Sequence, residues 1–179
     1  MRCFWCNEKN PLYVKYHDEE WGRPCFDDMY LFEMLLLEGF QAGLSWECIL
    51  NKREDFRKAF DGFDYKKIAK YDDKKIDELY QNSAIIRNKL KIRAAVKNAQ
   101  IFADLVCQNG AFLNYLKSFW NGIVIFENNR TTSELSDKIS NDLYKKGMRF
   151  VGSTIIYSYL QAVGIINSHS DECFLYKAL

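Results

Sequence analysis

The stretch Tyr30-Leu31-Phe32-Glu33-Met34-Leu35-Leu36-Leu37-Glu38-Gly39-Phe40 is apolar almost all the way round a helical wheel. No face of such a helix suits water, so it predicts an element at the centre of a helical fold. Apolar residues recur at three- and four-residue steps on either side of it. The stripe Trp46, Ile49, Leu50, Arg53, Phe56, Phe60 reads as one amphipathic helix, with Ser45 as its N-cap. Asp64 and the Asp72-Asp73 pair are capping signals before two short helices that carry Ile68, and then Ile76, Leu79 and Tyr80. Ser83 opens Ile85-Ile86 and a long helical stretch through Ala94, Ala99, Phe102 and Val106, stopped by Gly110. A further helical segment runs from Phe112 to Trp120, and Leu135, Ile139 and Leu143 make another stripe. Ser153-Thr154 are expected to cap a last apolar helix through Tyr159, Leu160, Val163 and Ile166. Only Gly122 to Phe126 resembles a strand, and one strand forms no sheet. The expectation is an all-α protein without repeats or linkers, one domain over residues 1–179.

Composition narrows the class. Of the 179 residues 48% are hydrophobic and 27% charged, enough to bury a core and too apolar for a disordered chain. No apolar run approaches the ~18–20 residues of a membrane span. Met1-Arg2-Cys3-Phe4-Trp5-Cys6 has no apolar stretch or cleavage site of a signal peptide, so a cytoplasmic protein with reduced cysteines is expected. The 25 basic and 24 acidic residues leave a net charge of +1, which neither demands nor forbids a polyanionic partner. Aromatics, at 16%, can fill a core or line a pocket for a flat ligand.

Three groups of residues carry chemistry. Cys3, Cys6 and His17 near one end, with His169 and Cys173 at the other, offer two soft or borderline ligands from each terminus for a closed tetrahedral Cys2His2 zinc site. Cys6 competes with Cys3 for that role, and the Cys3-x2-Cys6 pair is also a redox motif, although no βαβ context surrounds it. Cys25, Cys48 and Cys107 read as small buried apolar residues. Glu38 shares a helical stripe with Leu31, Met34 and Leu35. Its carboxylate either reaches water near the helix end at Gly39 or is buried and needs a partner. Gln41-Ala42-Gly43-Leu44-Ser45 leads from it to Trp46, and Tyr13, Tyr16, Trp5 and Trp21 complete a possible aromatic box. Finally, Arg87, Lys89, Lys91, Arg93 and Lys97 form a basic run without an acid, either a solvated helix face or a phosphate-tracking surface.

These residues fall into strings that resemble a known family. Pro11-Leu12-Tyr13-Val14-Lys15-Tyr16-His17-Asp18-Glu19-Glu20-Trp21-Gly22 and Leu37-Glu38-Gly39-Phe40-Gln41-Ala42-Gly43-Leu44-Ser45-Trp46 are long and unusual. With Ile85-Ile86-Arg87, Arg149-Phe150-Val151-Gly152-Ser153-Thr154 and the ending His169-x3-Cys173, they resemble the DNA-3-methyladenine glycosylase I family, in order over nearly the whole chain. The resemblance implies a helix-hairpin-helix glycosylase fold of two helical lobes flanking a base-binding cleft. It implies a base-excision repair enzyme that hydrolyses the N-glycosidic bond of 3-methyladenine in alkylated double-stranded DNA; nothing in the sequence points to an obligate oligomer, so a monomer is expected. Such an enzyme releases free 3-methyladenine, leaves an abasic site and has no lyase activity. It also implies a structural zinc on Cys3, His17, His169 and Cys173, selecting Cys3 over Cys6 and joining the termini. Glu38 becomes the catalytic carboxylate in a base pocket with Tyr16 and Trp46, and with Tyr13, Trp5 and Trp21 nearby. Leu44 is the residue that enters the gap left by the flipped nucleotide, flanked by Gln41 and Gly43 as DNA contacts. One departure stands out, because the expected hairpin, Asn82 to Lys91, has no glycine. That shifts phosphate binding onto the side chains of Arg87, Lys89 and Lys91. A zinc-stabilised nucleic-acid-binding module without catalysis would keep the basic run and the terminal ligands, but has no use for Glu38 beside an aromatic box.

Overall fold

A computed structural model describes residues 1–177. Among the described residues, ten α-helices carry the fold: α1 (Pro11–Glu19), α2 (Asp28–Gln41), α3 (Trp46–Asn51), α4 (Arg53–Ala59), α5 (Tyr65–Ile68), α6 (Asp73–Gln81), α7 (Lys89–Asn109), α8 (Phe112–Lys117), α9 (Glu134–Lys145) and α10 (Ser153–Ala162). No described helix is long and apolar enough to cross a membrane.

Helix α2 is the axis. Asp27 starts it by accepting from the backbone N–H groups of Met29 and Tyr30 at 3.0 and 3.1 Å. Every residue from Leu31 to Phe40 is buried, and α3, α7, α8 and α10 pack around it. A helix can be enclosed in this way because its backbone polar groups are already paired along its own axis. Aromatic rings fill the space beside it: Phe40 lies edge-on to Phe56 at 4.8 Å, and Phe102 meets Phe32 at 5.2 Å and stacks on Phe112 at 4.1 Å.

The capping signals hold for the short helices. Asp64 caps α5, Asp72 caps α6, Ser45 caps α3, and Gly110 ends α7 in the left-handed conformation at φ 79°. Other boundaries differ from expectation. The stripe Trp46 to Phe60 is two helices, because the backbone turns at Lys52 (φ −103°, ψ 1°) while the apolar spacing runs on across the break. Ser83 does not open α7. Residues 82–88 form a turn, and Asn88 caps the helix by accepting from Lys91 N at 3.1 Å. The last helix is preceded by Gly152 rather than capped by Ser153, whose hydroxyl donates to Asp137 instead.

The suspected strand does find a partner. Ile125–Phe126 (β1) pairs in parallel with Ile166–Asn167 (β2), Ile125 opposite Ile166. Ile166 continues the apolar stripe of α10 in sequence, but Gly164 takes φ 76° and turns the chain out of the helix. A side chain could not be placed there, because a Cβ on Gly164 would lie 2.2 Å from the carbonyl carbon of Arg23. Gly164→Ala is therefore expected to cost at least ~2–3 kcal/mol, from a strained φ together with a backbone clash. Urea unfolding of the variant checks this, and a loss below ~0.5 kcal/mol would mean that the contact at Arg23 yields.

Candidate functional site

Helix α1 places Tyr13, Tyr16 and His17 on one face, at the three- and four-residue spacing that stacks side chains along a helix. Asn10 fixes its start, accepting from Leu12 N at 3.1 Å, with Pro11 in the first turn. Helix α2 delivers Glu38 and, one turn on, Gln41. The side chains of Tyr13, Tyr16, Glu38, Gln41 and Trp46 meet those of Trp5 and Trp21 around a single cavity of about 420 Å³. Tyr16 and Trp46 lie 5.2 Å apart at 47°, while Trp5 meets Tyr13 at 5.5 Å and Trp21 edge-on at 4.6 Å.

Glu38 does not reach water past Gly39. It is 4% exposed, and its Oε2 is buried with no hydrogen-bond partner among the described residues. Burial alone, without a compensating cation or donor, pushes its carboxyl up to about 8. Glu33 on the same helix makes the contrast. It is equally buried, but it accepts from Arg53 at 2.7 Å and from Arg57 at 2.8 Å. The indole Nε1 of Trp46 is likewise buried without an acceptor. An unpaired acceptor and an unpaired donor at one aromatic cavity suit a flat ligand with polar edges, and the carboxylate favours one carrying positive charge.

Four further donors stand beside this cavity. Cys3 Sγ, His17, His169 and Cys173 Sγ are all buried, and their ligand atoms lie within 4.8 Å of one another. Cys3 Sγ and Cys173 Sγ are 3.4 and 3.5 Å from His169 Nδ1, and Cys173 Sγ is 3.5 Å from His17 Nε2. Tetrahedral coordination by sulfur and imidazole at ordinary zinc bond lengths puts such neighbours ~3.5 Å apart. The second ring nitrogens are also held: His17 Nδ1 by Asp18 at 2.7 Å and His169 Nε2 by the carbonyl of Trp21 at 3.2 Å. Arg2 in turn grips Asp18 at 2.8 Å. Burial pushes the Cys3 thiol up to about 11 and His169 down to about 4, and a metal held by the Cys3 thiolate would displace the thiol proton. The donor set fits a metal. His169 and Cys173 lie in a loop rather than on a helix, bridging one turn. Cys6 is buried but stands apart, with its thiol 3.8 Å from the Tyr13 carbonyl.

The basic run is only partly available. Arg87 is exposed, Lys89 pairs with Asp77 at 2.6 Å, and Arg93 pairs with Asp73 at 2.9 Å. Lys91, expected on phosphate, points inward instead. It is 7% exposed, and its ammonium donates to the carbonyls of Phe40 and Ala42 at 2.8 and 2.6 Å. Gly43 and Leu44 sit in the turn after α2, and Leu44 is 40% exposed. Of the unassigned cysteines, Cys107 is exposed and Cys25 and Cys48 are partly so, against the expectation of burial. Sequence reasoning also missed the far wall of the cavity, Asn128 to Thr131 with Ser158, Gln161 and Ser168. These residues lie some ninety or more positions from Glu38 and carry no local pattern that points to it.

Known proteins resemble this arrangement. A methyladenine glycosylase family model matches residues 5–176. DNA-3-methyladenine glycosylase 1 of Escherichia coli (strain K12) is 41% identical over 181 residues, covering 98% of this chain and 96% of that protein. A crystal structure of 3-methyladenine DNA glycosylase I superposes with a TM-score of 0.93 at 41% identity, covering 98% of this chain and all of that one. A Tyr-to-Phe variant of 3-methyladenine DNA glycosylase I in complex with 3-methyladenine superposes at 0.92, with 31% identity and coverage of 98% and 97%.

The desolvation of Glu38 makes a thermodynamic prediction. Its pKa is raised on folding, so the native state takes up a proton there and loses stability as pH rises from about 4.5 to about 8. Glu38→Gln removes that loss. The stability of the variant relative to the unmodified protein is expected to rise by ~2–5 kcal/mol between about pH 5 and about pH 9. Urea titrations of both proteins at the two pH values test it, and a pH-independent difference would place Glu38 in contact with water.

Proposed function

The chain belongs to the methyladenine glycosylase family, hydrolases acting on N-glycosyl bonds, and from that premise we propose a reading of how its cavity excises 3-methyladenine from alkylated DNA. The observation that carries it is the solitary buried carboxylate of Glu38 at the wall of an aromatic cavity.

The lesion is a cationic base on a weakened glycosidic bond, so selection matters more than forceful chemistry. The nucleotide leaves the stack, at a cost of a few kcal/mol, and its base enters the cavity. Leu44, exposed in the turn after α2, fills the gap behind it. Trp46 stacks on one face of the base, and Tyr13 or Tyr16 closes the other. A positive ring over these faces gains ~0.5–2 kcal/mol that neutral adenine does not. Glu38 accepts hydrogen bonds from the adenine edge. A cation beside it lowers its proton affinity, so lesion binding turns the acid into the carboxylate that holds the charge. Water adds to C1′ of an oxocarbenium-like sugar as the C1′–N bond breaks. The base leaves with the bonding pair as neutral 3-methyladenine, and a proton from the water passes to solvent. The deoxyribose is left as an abasic site with no amine attached to it, so no strand cleavage follows.

The frame around this cavity is one domain of two lobes that share α2. Helices α6 and α7, joined by residues 82–88, form the hairpin that meets the DNA backbone, with Arg87 and Lys89 on phosphates. The cluster Cys3, His17, His169 and Cys173 holds a structural zinc, a closed site with no open position for substrate. When bound, the ion ties together two chain ends that would otherwise fray. The enzyme works as a monomer in the cytoplasm.

Chromatography of the bases released from methylated duplex DNA tests the central reading. 3-Methyladenine is expected to be released, and release should fall by about 100-fold or more in Glu38→Gln. Free 3-methyladenine should bind Trp46→Ala ~10-fold or more weakly. Undiminished single-turnover excision by folded Glu38→Gln would remove the role given to the carboxylate. For the metal, one equivalent of zinc is expected by elemental analysis of the purified protein. Chelation or Cys173→Ser should lower the melting temperature markedly. A metal-free chain that melts at the same temperature would rule out the structural zinc.

A further inference from the structure

The turn from Ala42 to Ser45 has little packing of its own. Gly43 takes φ 81° with nothing near the place a Cβ would occupy, and Leu44 projects outward. Two ammonium groups nevertheless bracket it. Behind it, Lys91 from the first turn of α7 donates to Phe40 O and Ala42 O at 2.8 and 2.6 Å, and lies 5.7 Å from the ring of Phe150. Ahead of it, Lys52, at the break between α3 and α4, donates to the carbonyl of Ala84 in the 82–88 turn at 2.9 Å. The hairpin and the segment 40–52 are thus cross-tied at two points, one on each side of Leu44.

The acceptors explain why lysines are suited to these ties. Phe40 and Ala42 end α2, where carbonyls have no intrahelical donor and the helix dipole is negative. Burial lowers the proton affinity of Lys91, and the two carbonyls hold its charge in place. A buried charge with two short charge-assisted bonds resists displacement more than an apolar contact does, because its loss leaves polar groups unpaired.

We propose that Lys91 and Lys52 are positioning residues, through which a hairpin seated on DNA phosphates fixes the turn bearing Leu44. The segment they hold runs from the last turn of α2, one helical turn past Glu38, to α3, which begins at Trp46. The proposal rests on the glycosylase reading above. It concerns DNA substrates only, since free base needs neither hairpin nor wedge.

Three quantities separate it from simple support of the fold: the affinity for free 3-methyladenine, the single-turnover excision rate at saturating duplex, and coupling to Leu44. Lys91→Met keeps the apolar stem and removes the ammonium. Its affinity for free base is expected to stay within about twofold, while single-turnover excision falls by about 10-fold or more, a misplacement effect. Adding Leu44→Ala should then cost little beyond either single change, because a wedge that is no longer held is already lost. Lys91→Arg should recover most of the rate. Lys52→Met, at the less buried tie, should show the same pattern more weakly and carries the test if Lys91→Met does not fold.

An unimpaired excision rate in the folded methionine variants would overturn the proposal. So would additive effects with Leu44→Ala, or a parallel loss of free-base affinity, which would make Lys91 a support of the pocket. Unmodified protein that releases no base from methylated duplex would instead remove the glycosylase reading, and the proposal with it.

Discussion

The fold is arranged around a helix that has no exposed face from Leu31 to Phe40. Helix α2 is buried from Leu31 to Phe40, so every neighbouring element packs against it and none can shift without opening apolar surface. Two carboxylates ride inside that helix at very different energy. Glu33 is neutralised by Arg53 and Arg57, and Arg53 also reaches Glu20 at 2.8 Å, a satisfied internal network. Glu38 faces a cavity, and its Oε2 has no partner among the described residues. The packing of the first makes the isolation of the second possible, because the helix cannot rotate or slide to hydrate it. The fold holds an unfavourable group at a fixed place, a common feature of sites whose ligand supplies the missing partner.

The aromatic wall has a similar dependence on the chain termini. Trp21 gives its carbonyl to His169 and packs edge-on against that imidazole at 4.7 Å, and Trp5 lies 5.2 Å from His17. Gly22 follows Trp21 at φ 75°, and a Cβ there would press on the His169 ring at 3.2 Å. The four-donor cluster and the cavity therefore share walls. Tyr13 and Tyr16 look into the cavity while His17, one residue on, looks into the cluster. A metal bound at the cluster would restrain the same rings that wall the cavity.

On the face assigned to DNA under the proposed function, the charges divide into two kinds. Arg87 and Lys89 remain at the surface, where salt screens them and phosphates can reach them. Lys91 and Lys52 are spent internally on carbonyls. The absence of glycine from the hairpin fits this division, since less rests on close approach of its backbone and more on how firmly its position is tied to α2 and α3.

The sequence alone determined the helical class, the central helix, the caps at Asp64, Asp72, Ser45 and Gly110, the aromatic side of the cavity and, through the family resemblance, the four donors of the cluster. Those are matters of local periodicity, capping chemistry and unusual residue strings, all of which are written in order along the chain. It did not determine that Glu38 is buried, since burial near a helix end depends on what packs there from other elements. Nor did it show the polar wall from Asn128 to Thr131, or the pairing of Ile125 with Ile166. Lys91 is the clearest case. In sequence it belongs to a basic run and reads as one more surface cation. Only the close approach of α7 to the end of α2 supplies two carbonyls without donors, and those turn its charge inward. Spacing sets which residues share a face, whereas the partner of a polar group is set by the tertiary neighbour that desolvates it.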